Sequence, residues 1–349
     1  MMTIALLLLA LIWVGFIAYV VLGGADFGAG IWDLFASGPT ARQQHQFITH
    51  VLGPVWEANH VWLIFLLIGL MNAFPIAFAA FMSALFVPLM IALVGIVLRG
   101  AGFIFRAYSI RSEGMFARLW SRVFSTSSLL TPFFLGTAAA TVAGGRIRLT
   151  DITPSDLLFA WITPFSLSVG VMTVFQCATL AAVYLAAEAS IHDETQFAVS
   201  YRIKALVSGI ITSCLGVLSI ALSITQAPWL WHGLFVDALP YVISTVSAGT
   251  LVLISLIMRY YRLASLFVIL ETALMLITWG VSQYPYIIPP QLTIEQAAND
   301  PQVITILLIV MVIGMVILLP ALLFLFIIFK WTPNVHTTDA HRTEVQKEA

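Results

Sequence analysis

Nine apolar runs, each close to the roughly 20 residues that carry a helix across a bilayer core, divide this chain of 349 residues. They fall around 3–22, 54–73, 76–98, 124–143, 159–187, 205–225, 238–258, 263–282 and 303–329. In lipid each backbone N–H and C=O must find its partner within the protein, so runs of this length become helices. The remaining composition agrees, with 61% hydrophobic residues and only 9% charged, against about 25% charged in an ordinary soluble domain. The expected fold is an all-α polytopic membrane protein of about nine transmembrane helices. Two groups of four plus one peripheral helix would suit a pair of four-helix bundles. The least marked division lies within 51–98, which as one helix would be roughly 72 Å long; Asn72 to Pro75 therefore reads as a tight turn.

No hydrophilic stretch is long enough for a second folded domain, so residues 1–330 are expected to form one transmembrane domain and 331–349 a polar tail. Met1-Met2-Thr3 runs straight into apolar residues without the basic flank of a cleaved signal, so the first helix is expected to remain in the mature protein. With nine spans, Arg42, the five arginines from Arg99 to Arg122, Arg202, Lys204, Arg259, Arg262, Lys330, Arg342 and Lys347 share one side, and Arg146 and Arg148 the other. That is thirteen positives against two, which puts the N-terminus outside and the C-terminus in the cytoplasm. Omitting the second helix gives twelve against three with the N-terminus inside, so the count rests on hydropathy. Loop 283–302, with Tyr284-Pro285 and Pro289-Pro290 and no Lys or Arg, reads as an extended outer turn.

A net charge of −1 gives no reason to expect nucleic acid, and the basic loops suit anionic membrane lipid. Cys177 and Cys214 fall within apolar runs without metal-ligand spacing and read as small buried residues. Haem ligation is poorly supported: only His60 and His50 lie near a span, His45, His192 and His232 are assigned to loops, and His336 and His341 to the tail. No haem-attachment, P-loop or dinucleotide motif occurs.

Ionisable side chains inside a membrane are expensive, by roughly 2.5–3.5 kcal/mol on insertion scales, and by default mark a proton or ion path. Glu57 lies just inside the second run, in Gly53-Pro54-Val55-Trp56-Glu57-Ala58-Asn59-His60-Val61-Trp62. His60 shares its helix face, and Trp56 and Asn59 offer an indole N–H and an amide beside it. The plain alternative is an acid that only joins helices. Asp26, in Gly23-Gly24-Ala25-Asp26-Phe27-Gly28-Ala29-Gly30, is placed at the cytoplasmic exit of the first helix, either flanking the same entrance or capping a following interfacial segment. Glu271 falls mid-span in the eighth run and either extends a proton route or hydrogen-bonds neighbouring helices. Arg99 and Arg106 are read as closing the third span, where snorkelling and charge topology account for them.

Taken together, Asp26-Phe27-Gly28-Ala29-Gly30, the Trp56-Glu57-Ala58-Asn59-His60-Val61-Trp62 element, Arg99, Gly102, Phe103 and Arg106, Thr163-Pro164-Phe165, Tyr184-Leu185, Tyr284-Pro285, Pro289 and Leu292-Thr293-Ile294 resemble subunit II of the cytochrome bd-type terminal oxidases over nearly the whole chain. The resemblance implies a subunit of the bacterial cytoplasmic (inner) membrane, paired with a haem-bearing subunit I that reduces dioxygen to water, while this chain binds no haem or metal. It implies that Glu57 belongs to a cytoplasmic proton pathway, supported by Trp56 and Asn59. A bound quinone or lipid and a small accessory subunit stay open, as does the electron donor. Two departures mark a divergent branch: Gly23 stands where many members carry an aspartate, and Glu57 where many have the shorter acid. Outside the resemblance, a proton-coupled secondary transporter and a purely structural membrane subunit are the competing readings. The former predicts interrupted helices at matching positions in two halves, and none is evident in the sequence.

Overall fold

The computed structural model describes residues 2–36, 41–109, 115–149, 158–192 and 194–331; the side chains of 49–50, 52–57, 106–109, 117, 326 and 329–331 lie outside that description. Among the described residues the long helices are α1 (Met2–Leu34), α2 (Ala41–Ala73), α4 (Phe86–Ser109), α5 (Met115–Ala143), α6 (Pro164–Ile191), α7 (Thr195–Gln226), α9 (Leu239–Ile257), α10 (Tyr261–Gln283) and α12 (Pro301–Trp331). Short helices α3 (Pro75–Ala84) and α8 (Pro228–Val236) precede α4 and α9, and α11 (Ile294–Ala297) follows a two-stranded hairpin, β1 (Tyr286–Ile288) and β2 (Leu292–Thr293). Among the described residues eight helices are long and apolar enough to cross a membrane, and the pair 58–73 and 75–84, bent by 116°, makes a ninth if counted as one span. The helix count is the one that hydropathy predicts.

The chain divides into two compact units, Met1–Leu308 and Ile309–Ala349. In the first, α1, α2, α4 and α5 pack as one four-helix group and α6, α7, α9 and α10 as another, joined where α1 and α5 meet α6. The described part of the second is the remainder of α12, to Trp331; the rest of the expected polar tail lies outside the described residues.

Two boundaries differ from the hydropathy reading. The third apolar run does not form one span. Pro75 starts α3, Leu85 breaks it after ten residues, and α4 begins at Phe86. Pro88 explains the break: within a continuous helix its ring would clash with the carbonyl of Ala84 and remove a hydrogen bond, whereas in the first turn of α4 the missing N–H is of no consequence. The crossing segment therefore becomes Phe86–Phe105, and Arg99 moves from the end of a span to its interior.

The first helix likewise does not stop at its glycines. It runs through them to Leu34, and their purpose is close approach. A Cβ on Gly28 would lie 1.9 Å from the carbonyl oxygen of Cys177 and 2.7 Å from the Ala181 methyl, so only glycine lets α1 and α6 touch at this point. Contacts of this kind hold membrane helices together, because lipid tails give apolar side chains no incentive to leave them. On α6, Cys177 and Ala178 form one buried cluster with Phe27 and Ile31 of α1.

α6 starts on a capping box in which Thr163 accepts from the Ser166 N–H, followed by Pro164 in the first turn. The proline-rich loop is ordered as expected, though with a hairpin and a helical turn. Asn299 donates from its backbone to the Ala73 carbonyl at 2.9 Å and from its side chain to the Asn72 carbonyl at 2.9 Å, satisfying the end of α2 where the chain bends. His45 and His232, assigned to loops from the sequence, lie in α2 and α8.

Gly28→Val is expected to separate α1 from α6 and to destabilise the subunit by at least the ~1–3 kcal/mol of an overpacked core. Heat unfolding of the purified complex measures it, and an unchanged midpoint would contradict the close approach.

Candidate functional site

One stripe of α1 carries Tyr19, Gly23, Asp26, Gly30 and Asp33 at helical spacing, and every one of them is buried. Asp26 faces α4. Asp26 is 3% exposed, and Arg99, also 3% exposed, supplies the counter-charge. The guanidinium grips it by a fork: Nη1 donates to Oδ2, and Nη2 donates to Oδ1 at 2.7 Å and to the Asp26 main-chain carbonyl at 2.8 Å. Nε donates to Ser128 Oγ of α5 at 2.8 Å, and the Ser128 hydroxyl donates in turn to the Phe124 carbonyl at 2.7 Å. The rings of Phe27 and Phe124 lie 5.0 and 4.8 Å from the guanidinium carbon, adding cation–π attraction. Planar, two-pronged recognition of a carboxylate is what arginine does and lysine does not.

α2 brings Asn59 to the same place. It is 3% exposed, and its amide lies against Gly23, where a Cβ would come within 2.9 Å of Asn59 Oδ1. An aspartate side chain at Gly23 would collide with Asn59 as it stands here. Between the helices lies a small cavity of about 10 Å³, lined by Tyr19, Phe27, Asn59, His60, Leu63, Ile96 and Arg99.

A second polar group lies two helical turns further along α1. Asp33, 2% exposed, accepts from Ser125 Oγ of α5 at 3.1 Å and is 2.5 Å from Nδ1 of His45 on α2. Beside it the Lys204 ammonium of α7 lies 5.4 Å from the Trp32 ring and 4.5 Å from that of Tyr201, while the Trp32 indole donates to the Ala178 carbonyl at 2.7 Å.

The structure thus gathers Asp26, Arg99, Asn59 and His60 around one point. Arg99 is not a snorkelling end residue, because the register of α4 carries it inward, and Asp26 is not a cap, because α1 continues past it. Glu57 and Trp56 are on α2, one turn before His60 and Asn59, with side chains outside the described residues. Glu271 is not part of this cluster. It belongs to the other four-helix group, where Gln176 Nε2 donates to it at 3.4 Å and to Thr272 Oγ1 at 3.0 Å, and where Gly249 of α9 leaves room for its carboxyl. Sequence reasoning missed Tyr19, Ser128 and the Asp33–His45–Ser125 group. The i, i+4, i+7 stripe would have pointed to Tyr19 and Asp33 had α1 been read through its glycines. Among the described residues, no three His, Cys, Asp or Glu side chains gather as a metal site would require.

Residues 4–329 match the family model described as cytochrome bd terminal oxidase subunit II. The chain belongs to this family. Subunit II is a multi-pass membrane component of an oxidoreductase complex, located in bacteria in the inner membrane and assembled with a subunit I. The chain is 23% identical over 337 residues to the putative cytochrome bd menaquinol oxidase subunit II of Bacillus subtilis (strain 168), covering 94% of this chain and 96% of that one. It is 29% identical over 171 residues to the cytochrome bd ubiquinol oxidase subunit 2 of the same organism, 49% of this chain and 48% of that one. With cytochrome bd-I ubiquinol oxidase subunit 2 of Escherichia coli (strain K12) it shares 27% over 173 residues, 48% of this chain and 45% of that one. The fold is similar to that in the structure of bd oxidase from Geobacillus thermodenitrificans, with a TM-score of 0.80 and 22% identity over 95% of this chain and 100% of that one.

Removing one partner of a buried ion pair strands the other charge, at about 3–5 kcal/mol, whereas replacing both with apolar residues is often neutral. Asp26→Leu alone should therefore lower the stability of the subunit II complex by that amount, and Asp26→Leu with Arg99→Met should recover most of it. Denaturant or heat unfolding of the two variants checks this; equal losses in both would remove the ion pair as the cause.

Proposed function

We propose that this chain is the haem-free subunit of a bd-type quinol oxidase, forming a scaffold for the haem-bearing subunit I and conducting cytoplasmic protons through Glu57 towards the site where dioxygen is reduced to water. The observation that carries the reading is the gathering of Asn59 and His60, one turn beyond Glu57 on α2, against the buried Asp26–Arg99 pair. An acid on that turn has polar neighbours leading inward.

In this reading the N-terminus faces outward and the C-terminus and polar tail, 331–349, lie in the cytoplasm beside one membrane domain. Twelve basic residues on the inner side, with Arg99 set apart inside its span, against two on the outer support that orientation. Quinol is the donor named for the Bacillus and Escherichia relatives, and the haems reside in subunit I. Protons taken from inside charge the membrane, each charge representing about 2.3 kcal/mol per 100 mV. Trp56, Asn59 and Asp26 support the acid by position, and the complex leaves room in this reading for a bound lipid or quinone and a small accessory subunit.

Glu57→Gln in the purified complex is expected to reduce turnover and proton uptake by about 10²-fold, the lower end of what a positioned acid–base group contributes, with the haem spectrum intact. Wild-type turnover and charge separation would take Glu57 off the route. Glu271→Gln, which keeps the hydrogen-bonding shape of the side chain, is expected to leave turnover unchanged; a comparable loss there would place a second acid on the path.

A further inference from the structure

The cavity between α1, α2 and α4 is bordered by polar groups that the protein itself does not satisfy. Tyr19 Oη and Asn59 Oδ1 are both buried and have no hydrogen-bond partner among the described residues. Tyr19 is 6% exposed and Asn59 3%. Two such orphans bordering one small space require an explanation, since buried polar groups in native proteins nearly always find a partner, ordered water included.

Arg99 supplies the third group. One bond from Nε, one from Nη1 and two from Nη2 use four of the guanidinium's five N–H groups. One Nη1 hydrogen is left, and Arg99 borders the same cavity. The volume of about 10 Å³ is the room of a single water, and a buried water typically makes about three hydrogen bonds. The inventory here matches that number: a hydroxyl, an amide oxygen and a guanidinium N–H.

We infer that Tyr19, Asn59 and Arg99 hold one ordered water, which accepts from the Arg99 N–H and the Tyr19 hydroxyl and donates to Asn59 Oδ1. Gly23 is part of the site. A side chain there would displace the Asn59 amide, so the glycine keeps open the place that the amide and the water occupy. The water closes a hydrogen-bonded line from α2, two residues beyond Glu57, to the Asp26–Arg99 pair. It is required by the geometry whether or not Glu57 conducts protons, so failure of the proposed function would not remove it.

The test uses the intact oxidase complex. A high-resolution map is expected to show a solvent peak in the cavity within hydrogen-bond distance of Tyr19 Oη and Asn59 Oδ1, absent in Asn59→Leu. Tyr19→Phe deletes one oxygen and nothing else, so the sign of its effect is decisive. With the water in place it loses a bond and lowers the unfolding midpoint by about 2 °C or more. With no water it relieves an unpaired hydroxyl and raises the midpoint. Because both variants act through the same water, the midpoint loss in Tyr19→Phe with Asn59→Leu should be smaller than the sum of the single losses. An empty cavity, a raised midpoint for Tyr19→Phe or strictly additive losses would each overturn the assignment.

Discussion

The ion pair of Asp26 and Arg99 is the interaction around which the first half of the molecule is arranged. A lone guanidinium at membrane depth is costly, and a lone carboxylate equally so, so neither residue is tolerable there without the other. Joined by a two-pronged contact, capped by the α1 carbonyl and braced by Ser128, they let three helices share one polar centre without exposing it. α1 supplies the acid, α4 the base and α5 the hydroxyl. The phenyl rings of Phe27 and Phe124 lie against the guanidinium and lower the polarity around it, which strengthens the electrostatic attraction.

That centre can form only if α1 approaches its neighbours closely. Gly28 brings the α1 backbone against the Cys177 carbonyl of α6, and Gly23 opens the space that the Asn59 amide of α2 fills. The glycine cluster is thus the geometric counterpart of the charge pair: one face of α1 meets α6 and fixes the relation of the two four-helix groups, and another meets α2. A single helix couples the packing of the whole first unit to the polar residues it surrounds.

The number and approximate place of the spans were legible in the chain, because a run of twenty apolar residues has few alternatives in lipid. The site was legible in its residues but not in its contacts. Glycines near the end of a hydrophobic run signal a helix exit in soluble proteins, where water competes for the freed backbone groups. In a membrane that competition is absent, so α1 continued to Leu34 and Asp26 came to lie inside it. Arg99 was misplaced for a different reason. Its depth depends on where α4 begins, and the signal for that boundary was Pro88, inconspicuous within an otherwise unbroken apolar stretch. Both errors concern register along a helix, the quantity that hydropathy determines least well and on which every side-chain partnership depends.

Two membrane-embedded acids of one chain can then be separated by the company they keep. Asp26 meets a full cation that donates three hydrogen bonds, two to its carboxyl and one to its carbonyl; Glu271 meets the amide of Gln176, which it shares with the hydroxyl of Thr272. Amide and hydroxyl contacts of this type contribute on the order of 1 kcal/mol to helix association, a scale suited to holding α6, α9 and α10 in register. The cluster on α1, α2 and α4 has more than adhesion requires: an imidazole, an amide with an unmatched oxygen, a phenol and a guanidinium with a hydrogen to spare, all facing one small space. Polar capacity in excess of what packing uses is expensive in lipid, and it persists where it has a further use. That asymmetry distinguishes the first four-helix group, whose polar groups exceed what packing uses, from the second, whose polar contacts are matched to it.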